Sequence, residues 1–200
     1  ASGPKPDSQA TDSENILWHH FPKARLDFES MRDTLLDVSG ILNRKMGGVQ
    51  EDIMDPGSNR RTVYSLFDRS EPPGLFRTLG HPSADATSPA RYETIVPQQA
   101  LFLMNSPFTI RQAQGLAKRI GEEAGDEAEA RVRQYYKIVF QREATTMEVE
   151  AGVDFISGAE ASPSTIAANT AAGAKAEVPL NPWELYAQTL LLSNELIFLD

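Results

Sequence analysis

Apolar residues recur at helical spacing through most of this chain, and the polar and breaker residues between them mark where each helix starts and stops. Phe28, Met31, Leu35, Val38 and Leu42 predict the first long helix, opened by Asp27 as N-cap and closed by Gly47-Gly48 after Met46. A proline in the first turn predicts a short helix over Pro97–Met104. Ser106 as N-cap with Pro107 behind it restarts the chain as a helix through Ile110, Ala113, Leu116, Ala117 and Ile120, ended by Gly121 and Gly125. Asp126 with Glu129 reads as a capping box for the next, whose apolar face is Val132, Tyr135, Tyr136, Val139 and Phe140. Thr145 with Glu148 opens a short helix with Val149, Val153 and Ile156 inward. Asn181-Pro182-Trp183-Glu184 opens the last, with Trp183, Tyr186, Leu190 and Ile197 on one face and Asn194 inside that stripe.

The remaining segments are irregular. Residues 1–14, polar and rich in Pro, Ser and Asp, read as a flexible leader, disordered or extended. Trp18 and Phe21 suggest a strap packed on the body. Residues 60–67 alternate only partly and read as extended. The prolines and glycines of 68–96 exclude long regular elements, while Leu75, Phe76, Leu79, Tyr92 and Ile95 give it anchors. Residues 47–96 are therefore expected to wrap the helices, and the Ala/Ser-rich stretch 159–180 to form a loop. Every strong period is helical. The expected fold is all-α: a compact multi-helix domain of about five to six helices over residues 15–200, wrapped by a long irregular Arg/Pro-rich segment.

Charge narrows the function classes. A net charge of −9 opposes general nucleic-acid binding, which needs a basic face, and binding to an anionic membrane surface. No apolar run reaches the length of a membrane span, so none is expected. With no cysteine, the chain carries no disulfide, thiolate nucleophile, zinc-thiolate site or haem attachment, and no cofactor of its own is expected.

Candidate chemistry is sparse. His19-His20 are adjacent, so their side chains should diverge rather than share a metal, and His81 is isolated; no metal ligands are assigned. The acidic cluster Glu122, Glu123, Asp126, Glu127 and Glu129 fits a solvated helix junction. Glu195, in the polar triplet Ser193-Asn194-Glu195 between leucines, should be bonded or ion-paired: pairing with an arginine argues structure, an open cleft argues chemistry. Arg60, Arg61, Arg69, Arg77 and Arg91 concentrate positive charge in the irregular middle. They read either as fasteners to carboxylates on the helices or, through Arg60, Arg61, Arg69 and Arg91, as a site for anions or sulfated glycans. Val96–Phe108 holds no charge, and its amides Gln98, Gln99 and Asn105 are expected, with Asn194 and Glu195, as polar anchors between wrap and core.

Several motifs occur in an order that resembles one family: Arg60-Arg61-Thr62-Val63-Tyr64, Pro73-Gly74-Leu75-Phe76-Arg77-Thr78, the run Thr94–Phe108, Tyr136 with Arg142-Glu143-Ala144-Thr145 and Glu148, and the ending Leu191–Asp200. With Arg25-Leu26, Arg32-Asp33 and Ser39-Gly40 they resemble the planctomycete-specific C-terminal domain of unknown function, which follows cytochrome-c-like and other uncharacterised domains in large exported proteins. The resemblance covers the last part of that domain. It implies an exported setting, periplasmic or at the cell surface, near sulfatases and polysaccharide-degrading systems, and it transfers no catalytic residue. Three functions stay open: a non-catalytic interaction or scaffold module contacting other domains of its parent or a protein partner, a glycan-active hydrolase using carboxylates, and an anion or sulfated-glycan binding module.

Overall fold

The structure, a computed structural model, describes residues 6–21, 24–68, 70, 74, 76, 80–82, 87, 89, 101, 103–161 and 180–199. Its order is α1 (Pro6–Thr11), β1 (Ala24–Arg25), α2 (Phe28–Val38), a 3₁₀ turn (Thr62–Tyr64), α3 (Pro107–Ala124), α4 (Ala128–Val139), α5 (Thr146–Ala161), α6 (Pro182–Leu191), α7 (Asn194–Ile197) and β2 (Phe198–Leu199). The domain is helical, as the apolar periods predict; among the described residues its sheet is one antiparallel pair, Ala24 opposite Leu199 and Arg25 opposite Phe198. That pair brings the end of the chain back to the entrance of α2, and Leu26 N–H donates to Ile197 O at 2.8 Å.

α3 packs along α6, α4 packs on both, α5 packs on α4 and α6, and α2 lies along α3 from Phe108 to Arg119. Leu35, Leu36, Leu116, Ile120, Val132, Tyr135 and Leu191 are sealed from solvent at the centre. Burying each large apolar side chain contributes roughly 1.5–3 kcal/mol, so this centre is the main source of stability. Tyr135 stacks on Trp183 with centroids 6.2 Å apart and donates its hydroxyl to Trp183 O, so its one polar atom is satisfied inside the core. Burial raises the pKa of Tyr135 and of its neighbour Tyr186 well above the phenolic range.

The caps explain most element ends. Asp27 accepts from Ser30 N at 2.8 Å, Ser106 from Phe108 N at 3.2 Å, and Asn181 and Glu184 cap each other reciprocally at 2.8 and 3.0 Å. Thr145 and Glu148 form the same box at 2.8 and 3.3 Å.

Several boundaries differ from those predicted. The helix α2 stops at Ser39, not at Gly47-Gly48. Gly40, at φ 74°, takes the left-handed position of a Schellman turn, with its N–H on Asp37 O and that of Ile41 on Leu36 O. Gly121 lies within α3, and Gly125 alone ends it. Glu127, not Asp126, is the N-cap of α4, because Arg131 takes the Asp126 carboxylate at 2.7 Å. The helix α5 runs to Ala161, into the stretch expected to be loop. The last helix breaks at Leu192-Ser193, so Asn194 leaves the apolar stripe.

At the N-terminal side, Pro6–Thr11 is a short helix rather than an extended arm. Asp12 caps the following turn through Ile16 N and Leu17 N, and Trp18 has φ 53° and is 72% exposed, so the strap does not pack its tryptophan on the body. The starting proline of the 97–104 helix lies outside the described residues.

Candidate functional site

The irregular segment 43–66 is held to α2 by Arg32 and folded on itself by Arg60, two inward-turned arginines. Phe28 and Arg32 lie four apart on α2 and share its inner face. Arg32 is 2% exposed and reaches across to the segment with both terminal nitrogens. Nη1 donates to Arg60 O at 2.9 Å and Thr62 Oγ1 at 3.3 Å; Nη2 donates to Ser58 O at 2.9 Å and Ser58 Oγ at 3.1 Å. The guanidinium carbon stands 5.1 Å from the Phe108 ring centroid. Burial lowers the Arg32 pKa from its ordinary value, opposed by the charges of Asp33 and Glu51.

Arg60 repeats the device from the segment itself. It is 6% exposed, donates to Val49 O at 2.6 Å, Lys45 O at 3.2 Å and Gly47 O, and lies over the Tyr64 ring at 3.9 Å. Carboxylates complete the knot. Asp33 accepts from Thr62 N and Thr62 Oγ1, both at 2.7 Å, while Glu51 accepts from Ser58 Oγ at 2.9 Å and Arg60 N at 3.4 Å. Residues 60–67 are thus extended chain interrupted by the 3₁₀ turn, joined to the preceding loop by single bridges at Asn43–Arg60 and Glu51–Ser65.

These placements sort the candidate arginines. Arg60 is turned inward and occupied by carbonyls, which corrects its assignment to an anion-binding surface. Arg61 is exposed, with Nε 3.4 Å from Asp33 Oδ2. Arg69 and Arg91 lie outside the described residues, as do Gln98 and Gln99. Asn105 is exposed and donates to Leu101 O one turn back at 3.1 Å, a local contact in place of the buried partner expected of it. Buried amide chemistry falls instead to Gln112, 1% exposed, which accepts from Ser39 Oγ at 2.7 Å and donates to Phe108 O at 3.3 Å. Its signal was its position, four residues beyond Phe108 in the apolar stripe of α3.

A second cluster fastens the far end of the bundle. Arg142 meets Glu195 at 2.6 and 2.9 Å and Glu148 at 2.7 and 3.0 Å, a doubly bidentate fork that ties the start of α5 to α7. The guanidinium also sits over Tyr136 at 5.1 Å. Arg142 and the Thr145 cap hold the Glu148 carboxyl down to about 2, and the two carboxylates raise the Arg142 pKa further. Glu195 is therefore engaged by an arginine. Asn194 is exposed at the first position of α7 and its carbonyl receives Phe198 N, while Ser193 Oγ is buried with no partner among the described residues.

The histidines also depart from expectation. The turn at Trp18 brings the Nδ1 atoms of His19 and His20 to 3.2 Å, and His19 Nε2 stands 3.1 Å from Asp12 O. Among the described residues no group of three His, Asp or Glu is placed to hold a metal. His81 packs between Phe67 and Phe76, with Nε2 3.7 Å from Glu29 Oε1.

The fold and these clusters define an all-helical module whose charged side chains bind one segment to another. The chain belongs to the family described as PSD1, protein of unknown function (DUF1553), whose model matches residues 1–156. That match ends inside α5. No match is found among curated proteins or among solved structures.

Proposed function

We propose that this chain is a non-catalytic interaction or scaffold module of a larger exported bacterial protein of planctomycete type, in the setting of polysaccharide utilisation or electron transfer. The observation that carries the reading is the Arg142 fork: the glutamates best placed to resemble a catalytic pair are both spent on one arginine. A glycoside hydrolase needs one carboxyl that stays protonated to act as acid, and Glu148, held down to about 2, is ionised at neutral pH. Arg32 and Arg60 follow the same logic, donating to neutral oxygens of the chain itself. Export and the polysaccharide setting rest on the motif resemblance alone.

A hydrolysis screen on neutral and sulfated polysaccharides tests this reading. No reducing-end release above blank is expected; release that Glu148→Gln or Glu195→Gln abolishes would overturn it. Retention on heparin at low salt, lost in Arg61→Ala, would favour the sulfated-glycan module instead.

A further inference from the structure

His19 and His20 take no part in the arginine clusters, yet the turn that carries them is closely specified. Both carboxylate oxygens of Asp12 hold it, accepting from Ile16 N at 2.9 Å and from Leu17 N at 2.8 Å. Asn15 clamps its far end, donating Nδ2–H to His20 O at 2.9 Å and accepting from His20 N at 3.3 Å. Asn15 and Trp18 lie in the left-handed region, at φ 54° and 53°. Neighbouring side chains on an extended strand point to opposite faces, but here the two rings meet, with centroids 4.4 Å apart.

The ring hydrogens follow from the partners. Asp12 O can only accept, so His19 Nε2, 3.1 Å away, carries the hydrogen and His19 Nδ1 bears a lone pair. His20 Nδ1 lies 3.2 Å from that lone pair and donates to it. A backbone carbonyl on the far nitrogen is the outer contact that metal-binding histidines ordinarily have, because it fixes the tautomer and aims the near nitrogen. The separation also suits two ligands of one ion. With Zn–N at about 2.0–2.1 Å, the tetrahedral angle sets neighbouring nitrogens about 3.3–3.4 Å apart, whereas linear coordination needs about 4.0–4.2 Å. The observed 3.2 Å fits the tetrahedral edge to within about 0.2 Å.

We propose that His19 and His20 chelate a divalent ion of zinc type through their two Nδ1 atoms. The ion takes the place of the hydrogen between the rings. His20 binds as its other tautomer, with the hydrogen moved to Nε2, so both rings stay neutral. The Asp12 carboxylate is spent on holding the turn and is not a ligand. Both rings are half-buried, which leaves the other coordination positions to water or an external donor. With two protein ligands the site is exchangeable, unlike the closed four-ligand sites of structural zinc. It goes beyond the scaffold role and does not depend on it.

The test is a titration of the full ¹⁵N-labelled chain with zinc, in a buffer that does not bind metal, read at the histidine ring nitrogens. Saturation at a single ion per chain is expected, with both Nδ1 resonances moving to metal-bound positions while both Nε2 atoms keep their hydrogens. His19→Ala and His20→Ala should each weaken binding about tenfold or more. Asn15→Ala keeps both ligands but loosens the clamp, and should weaken binding roughly 10-fold. No saturation up to about 1 mM zinc would overturn the site. So would coordination through Nε2, full affinity in either single-histidine variant, or loss of binding in His81→Ala. Unchanged affinity in Asn15→Ala would overturn the part given to the clamped turn.

Discussion

Arg32 is a cation inside an apolar face, and what makes it tolerable is the set of four hydrogen bonds it makes to a segment with little regular structure of its own. Planarity matters here: a lysine would carry the same charge with fewer, less directed donors. Arg32→Lys is expected to cost about 2 kcal/mol or more, since a charge-assisted bond to a buried group is worth roughly 1.5–3 kcal/mol. The urea midpoint of unfolding reads this, and an unchanged midpoint would remove Arg32 from the account. Two helical glycines set a contrast. At Gly152 an added Cβ would fall 2.6 Å from Tyr186 Oη and 2.9 Å from Val132 Cγ1, both in the packed core. At Gly115 it would meet the Cδ1 of Ile41 at 2.5 Å, the movable end of a flexible side chain. Gly152→Ala is expected to destabilise by about 1–3 kcal/mol through overpacking. Gly115→Ala should be nearer neutral, because alanine returns roughly 0.5–1 kcal/mol of helix preference. Thermal unfolding of the two variants checks the order.

At the scale of elements, whatever was decided locally could be read from the chain. The caps at Asp27, Ser106, Thr145 and Asn181 each involve residues no more than three apart, and each forms as its sequence predicts. Asn181→Ala is expected to cost about 1 kcal/mol, the usual loss when an N-cap oxygen is removed, read in chemical denaturation. Where two local signals competed, the pattern misled. The apolar spacing through Leu42 hid the Ser39-Gly40 stop, because Leu42 still packs on the core from outside the helix. Asp126 reads as a cap from its neighbours, but Arg131 claims its carboxylate from a turn further on. Long-range partners were harder to read: the polar triplet in the leucine run signals that Glu195 needs a partner but not that it is Arg142, and Arg32 with Ser58 and Gln112 with Ser39 are visible only once the helices are brought together. The chain's thirteen arginines against six lysines are a compositional hint that cations serve as fixed anchors.

For the whole molecule, residues 198–199 return to the entrance of α2. The Ala24–Leu199 pairing ties the entrance of α2 to the exit of α7, and Arg142 ties α7 to the start of α5. Acid should loosen this clasp in a defined window. Glu148 has a folded pKa depressed to about 2, below its unfolded value, so its contribution is present above the ordinary carboxylate range and is lost as pH falls toward 2. The stability difference between the wild-type chain and Glu148→Gln is therefore expected at neutral pH and absent near pH 2; a difference that persists there would place the effect elsewhere than in ionisation.

The claim that these charges serve structure is tested most directly by a double-mutant cycle on unfolding free energy with Arg142→Ala and Glu195→Ala. Both side chains are partly exposed, so solvent screening limits the coupling to about 0.5–1 kcal/mol, with each single variant less stable than the wild type. A charged cluster kept for catalysis commonly costs stability, so removing it tends to stabilise. Single variants more stable than the wild type, or a coupling of zero, would contradict a structural role for this clasp.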